Sequence, residues 1–141
     1  MRRHKIYIRA LRWARVDTIQ GRFQEKQIMC HKCNQLFKTH EEKRTDVNIA
    51  LKILCDAVDD IYDKAVIVSA DSDLIPAIHA VRKYAPDKRI GVMFPIGRTN
   101  NDLTKEADFR IKMSQRILQN CQFPKQIKVG NTIIKRPDSW C

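Results

Sequence analysis

Residues 64–76 read KAVIVSADSDLIP, and they set the fold class of the whole chain. Residues 65–68 are apolar and rich in β-branched side chains, the pattern of a strand buried on both faces. Ser69, Ala70, Asp71, Ser72 and Asp73 follow at its carboxyl end, ahead of an apolar helix pattern. Two carboxylates one residue apart therefore stand at a strand-to-helix turn. In open α/β sheets that is the edge where ligands bind, and both side chains can turn toward a divalent cation.

Downstream, Ser72 or Asp73 is placed to cap a helix that runs to about Tyr84, with Pro76 early enough for its missing N–H to do no harm. Leu74, Ile75, Ile78 and Val81 give that helix a buried face. The run RIGVMF at 89–94 reads as the next strand, after a turn at Pro86 and Asp87. Strand, helix and strand make a right-handed crossover, so the two strands should be parallel neighbours. The loop PIGRTNN at 95–101 then opens on the same edge as Asp71 and Asp73. Ser69, Arg98, Thr99, Asn100 and Asn101 supply donors suited to phosphate oxygens, although a plain polar connection has the same composition. Leu103, Ala107 and Phe109 lead into a short strand or helix start, with Asp108 beside it. A helix over 113–121 ends before Pro124, and residues 126–134 around Gly130 and Asn131 read as a terminal hairpin leading to RPDSWC.

Upstream, residues 45–62 carry the strongest helix pattern. Val47, Ala50, Leu51, Leu54, Ala57, Val58 and Ile61 recur at spacings of three and four and form one stripe, and Thr45 stands where a cap is needed. Asp46 falls in the first turn, where the helix dipole alone favours a carboxylate by ~0.3–1 kcal/mol. Cys30 and Cys33 form a CxxC knuckle, and with His40 they give three local ligands for zinc within an insert at 28–41. A structural zinc site needs four; the fourth could be His31, another segment or a partner chain. CxxC also serves redox chemistry, and two ordinary thiols with a surface histidine fit equally well. Residues 16–23 alternate like an edge strand, and residues 3–14 read as a basic, amphipathic helix.

The chain has 141 residues, 43% of them hydrophobic, which suits a single domain over 1–141 and argues against disorder. Twenty-seven Lys and Arg against sixteen Asp and Glu leave a net charge of +11. Such a surplus concentrates polyanions, nucleic acid above all, although a solvated basic surface also accounts for it. Five cysteines, an odd number, do not suggest a disulfide framework. With no apolar run long enough for a bilayer and no cleavage site after the basic N-terminus, no membrane association is expected and the cytoplasm is the expected location.

The segments EKRTDVNIA at 42–50, VIVSADSDL at 66–74, Ile90-Gly91-Val92, Leu103 and Ala107-Asp108-Phe109, in this order, resemble the NYN domain, a branch of the PIN-like nuclease superfamily. The resemblance covers about residues 40–112. It implies a Rossmann-like three-layer α/β/α sandwich with a mainly parallel sheet, and Mg²⁺ or Mn²⁺ held by acidic side chains for attack of water on an RNA phosphodiester. Asp46, Asp71 and Asp73 match the metal-binding and catalytic acids, and Asp108 matches a later, less constant one. The family's first strand, apolar-Asp-Gly-x-Asn, has no counterpart here, so a domain shortened at its N-terminus is expected: the sequence is a fragment, or an element of this chain, a second copy or a partner completes the sheet, or activity has been lost. A catalytically impaired RNA-binding module is the first alternative. A second follows from NYN-like proteins of pyridine-ring metabolism that carry a monooxygenase description, although no GxGxxG or flavin signature occurs. Phosphatases of the haloacid-dehalogenase type place their DxD on the first strand with Gly and Thr following, whereas Leu74-Ile75-Pro76 follows here.

Overall fold

The computed structural model of the protein describes residues 2–138; Ser139, Trp140 and Cys141 of the expected terminal run lie outside them. The elements in chain order are α1 (Arg2–Trp13), β1 (Arg22–Met29), β2 (Leu36–Lys43), α2 (Thr45–Val58), β3 (Lys64–Ile67), a 3₁₀ turn (Ser72–Leu74), α3 (Ile75–Tyr84), β4 (Arg89–Phe94), α4 (Asn101–Glu106), β5 (Phe109–Lys112), α5 (Gln115–Asn120), β6 (Gln126–Val129) and β7 (Thr132–Lys135). Where the sequence reads as one domain, these elements gather into two compact units, Gln20–Met113 and Met1–Ile19 with Ser114–Cys141.

The architecture is mixed α/β. In the unit spanning 20–113, β3, β4 and β5 form a three-stranded parallel sheet in that order, with Val66 opposite Gly91 and Gly91 opposite Phe109. The parallel pairing read from the two apolar runs is therefore present. Leu74, Ile78 and Val81 pack into one cluster with Ile67, Ile90, Val92 and Leu103. Gly91 is required by close approach: a Cβ there would collide with the Phe109 ring on the next strand. The Phe109 ring covers the gap the glycine leaves, as aromatic side chains do for glycines in sheets.

Four local expectations change. β3 is not covered on both faces. It lies at an edge of the sheet with β4 as its neighbour, Ile67 is buried, and Val66 and Val68 are 39% and 56% exposed. On α2, the packed face is Ile49, Ala50, Ile53, Leu54 and Ala57, and the helix contacts α3 and the 3₁₀ turn, while Val47, Leu51 and Val58, with Ile61 beyond its end, are exposed. Thr45 does not cap α2. Arg44 takes the cap position in a left-handed conformation (φ 81°), which puts Thr45 inside the first turn, where its hydroxyl donates to the Glu42 carboxylate. Residues 16–21 form no strand; pairing starts at Arg22, opposite Lys43, and β1 and β2 make an antiparallel hairpin.

The other unit joins α1 to the terminal hairpin. Ala10, Ile127 and Ile134 are buried against Ile6, Phe123 and Val129, and Tyr7 meets Phe123 edge to face at 6.3 Å. β6 and β7 pair around Gly130 as their turn residues predict. Among the described residues no helix is long and apolar enough to cross a membrane.

One buried cation ties the sheet's amino-terminal side together. Lys88 is 6% exposed, and its Nζ donates to Asp60, lies 3.0 Å from Asp87 and 3.6 Å from Asp63. It thereby joins the α2–β3 connection to the turn before β4. The bond to Asp60, then that to Asp87, holds the ammonium above the ordinary lysine range. A raised folded-state value contributes stability below the unfolded lysine value of about 10.5 and loses it as pH rises through the folded value. Lys88→Met is therefore expected to lower the thermal midpoint at neutral pH, with the difference from wild type shrinking at strongly alkaline pH when followed by circular dichroism.

Candidate functional site at the carboxyl edge of the parallel sheet

Beyond β3 the chain turns on its own side chains. Ser69 Oγ accepts from the Asp71 N–H at 3.1 Å, and Asp71 Oδ1 accepts from the Asp73 N–H at 3.0 Å. Asp71, not Ser72 or Asp73, is thus the residue that caps the 3₁₀ turn, and Pro76 sits in the first turn of α3 as expected. Asn100 fixes the same turn from the neighbouring loop. Its Nδ2 donates to the Ala70 carbonyl at 3.0 Å and its Oδ1 accepts from the Leu103 N–H at 2.9 Å, which caps α4. Ser69 and Asn100, read from the sequence as phosphate donors, also shape the loops: the Ser69 oxygen accepts from the Asp71 N–H and one Asn100 amide N–H is given to Ala70.

Arg98 and Thr99 are exposed and line a cleft of about 420 Å³ with Arg110 and Lys112, beyond the carboxyl ends of β4 and β5. Asn101 is exposed as well, at the start of α4. Arg110 and Lys112 had no sequence signal of their own; a parallel strand register was needed to bring them beside the 95–101 loop. Asp46 reaches this edge by topology. Only residues 59–63 join α2 to β3, so α2 runs back against the strand direction and its first turn points toward the end where β3 stops. α2 also contacts the 3₁₀ turn. Asp46, Asp71 and Asp73 are exposed, and among the described residues none of them takes part in an ion pair.

Asp108 does not join them. It precedes β5 and aligns with Ile90 at the start of β4, so β5 carries the chain about 13 Å away from it toward the carboxyl edge. Its N–H donates to the Ile90 carbonyl at 2.8 Å and its Oδ2 accepts from the Ile90 N–H at 2.7 Å. Arg89 and Arg82 lie 3.6 and 3.8 Å from Oδ1, and the side chain is 17% exposed. These contacts make Asp108 a clamp between strands at the amino edge, a correction to the expectation of a fourth site acid. The sequence could not place it because a carboxylate beside a strand looks alike at either end.

Cys30 and Cys33 sit in the six-residue connection between β1 and β2, where the N–H groups of Lys32 and Cys33 and the Cys33 thiol hold the Cys30 thiol below its usual range. His40 lies on β2, opposite Glu25 and four residues beyond Leu36, roughly 13 Å along the strand. The expected three-ligand zinc set therefore separates into two thiols at the tip and an imidazole on the shaft. Among the described residues no three His, Cys, Asp or Glu side chains cluster closely enough to hold a metal ion.

In open α/β sheets ligands bind beyond the carboxyl ends of the strands, and here that edge carries exposed acids and a basic cleft. The NYN domain family profile matches residues 3–114, and the chain belongs to that family, a group of PIN-like nucleases. A protein named 6-hydroxy-3-succinoylpyridine 3-monooxygenase HspA, from Pseudomonas putida, is 39% identical over 105 residues, covering 71% of this chain and 33% of that protein. The chain thus spans about a third of that relative's length. A protein of unknown function from Vibrio parahaemolyticus shares the fold, with a TM-score of 0.59 at 18% identity over 79% of this chain and 61% of that one.

The donor set suits one kind of metal binding and not another. Asp46, Asp71 and Asp73 offer hard oxygen ligands, but they do not close a cage. Mg²⁺ is held in that manner, by one or two carboxylates with waters and substrate phosphates completing its shell. Asn100→Ala would leave the Ala70 carbonyl unpaired and α4 uncapped. It is expected to cost ~1–2 kcal/mol in urea denaturation and to speed amide exchange at Asp73 more than at Val92.

Proposed function

We propose that the protein is an RNA-directed, metal-dependent phosphodiester hydrolase of the cytoplasm, with Asp71 and Asp73 as the metal ligands and Asp46, which does not cluster with them in this structure, as a further acid of the site. The observation that carries this reading is the hydrogen bond from Asn100 to Ala70, which fastens the acidic turn to the loop that forms the basic cleft. Acids for a divalent ion and cations for a polyanion thereby share one edge. Bound Mg²⁺ or Mn²⁺ would supply Lewis-acid polarisation of the phosphoryl oxygen and a water deprotonated near neutral pH.

The chain's own groups do the rest. Asp71 is held by its cap to the Asp73 N–H, so one of its oxygens is fixed while the residue stays exposed; Asp73 is also exposed. Arg98, Arg110 and Lys112 hold the phosphate backbone, with Thr99 and Asn101 as neutral donors, and the +11 charge raises the local concentration of RNA. The uncovered edge of β3 supports a sheet that a further strand from a partner completes toward the Rossmann-like three-layer sandwich.

Asp71→Asn with Asp73→Asn is a clean test, because asparagine caps a helix as well as aspartate does and the turn is retained. With Mn²⁺ and single-stranded or structured RNA, wild type is expected to cleave and the double variant to lose on the order of 10²-fold or more. Equal cleavage by both would sink the catalytic assignment. RNA binding that weakens with salt, without metal-dependent cleavage by wild type, would instead establish the binding-module reading. The 39% identity to the monooxygenase-named relative favours a second reading, action on a hydroxylated pyridine ring. Oxygen consumption with 6-hydroxy-3-succinoylpyridine would support it over RNA hydrolysis.

A further inference from the structure

The nuclease reading leaves the CxxC tip unused, and the tip is built in a particular way. The Cys30 N–H donates to the Gln35 carbonyl at 2.9 Å, and the Asn34 N–H donates to the Cys30 carbonyl at 2.8 Å. Asn34 adopts the left-handed conformation (φ 52°) that reverses the chain after Cys33. The Cys30 sulfur faces the N–H groups of Lys32 and Cys33 and the Cys33 thiol. Two sulfurs are thus brought side by side at an outward-facing turn, with Cys33 exposed and Cys30 half-buried.

A knuckle of this form supplies two ligands, and a structural zinc ion takes four. Among the described residues nothing within the chain supplies the other two. We propose that two copies of the chain meet tip to tip and hold one zinc ion between them through Cys30 and Cys33 of each.

Two features of the ribbon fit a second copy. Behind the knuckle, Met29 faces Leu36 and Ile28 faces Phe37 on opposite sides of the hairpin, with exposures of 52%, 64%, 38% and 49%. These apolar pairs flank the turn where another tip would cover them. Charge also balances. On binding Zn²⁺ the four thiols release four protons to solvent and no electron moves, which leaves the centre at −2; Lys32 of each copy brings +2 beside it. Two hairpin tips bury far less than the roughly 1,200–2,000 Å² of a stable protein interface, so the metal carries the affinity and its removal separates the copies.

The test uses the full chain, reduced, titrated with zinc or cobalt(II) and followed by metal analysis and sedimentation. About half a metal ion per chain is expected, with the mass doubling on binding, returning to monomer with EDTA, and cobalt giving the thiolate charge-transfer bands of a tetrahedral four-sulfur site. Cys30→Ser and Cys33→Ser should each abolish uptake and doubling, whereas His31→Ala and His40→Ala should leave both unchanged. One metal per monomer, a dimer that survives chelation, or a folded reduced wild type that takes up no metal would each overturn the proposal.

Discussion

Two parallel strands cannot be joined by a tight turn, and that constraint organises the unit spanning 20–113. The chain must leave β3, cross over as α3 and re-enter as β4, so the loops after both strands open on one edge. Leu74, Ile78 and Val81 make the crossover stable by packing with Ile90, Val92 and Leu103, all at most 1% exposed. At ~1.5–3 kcal/mol for each large apolar side chain buried, this cluster is the main favourable term in the unit. Ser69, Asp71 and Asn100 then need only short hydrogen bonds to set the shape of the exposed turn.

Edge position gives the same side chain two different employments. Asp71 and Asp73 follow a strand, stay exposed and take part in no ion pair among the described residues; Asp108 precedes a strand, and its side chain, 17% exposed, has two arginines within 4 Å. An acid already satisfied by an Ile90 N–H and flanked by guanidinium groups has little left for a metal ion. Asp71 and Asp73 share the carboxyl edge of the sheet with Arg98, Arg110 and Lys112, so that edge carries both signs of charge.

Much of this was legible in the residues because burial leaves a period. The run RIGVMF, the apolar face of α3 and the Gly130–Asn131 hairpin all followed from pattern and turn chemistry, and the acidic turn followed from its place after a strand. The ribbon of β1 and β2 escaped because it buries neither face: all eight β1 residues are exposed, so no alternation between core and solvent marks its start. Asp108 and His40 were misplaced for a different reason. Proximity in sequence or family pattern supplied their grouping, whereas strand register decides which end of a sheet a residue occupies. Arg110 and Lys112 became visible only once β5 was in register with β4.

The central claim is that a divalent ion binds at the turn of Asp71 and Asp73 and not elsewhere among the acids. Titration of isotope-labelled protein with substoichiometric Mn²⁺, read as paramagnetic broadening of backbone amide resonances, tests it directly. Broadening centred on residues 69–74 and reaching Asp46, with Asp108 and Phe109 spared, is the predicted result. Broadening centred on Asp108, or spread evenly over the exposed carboxylates, would contradict the account.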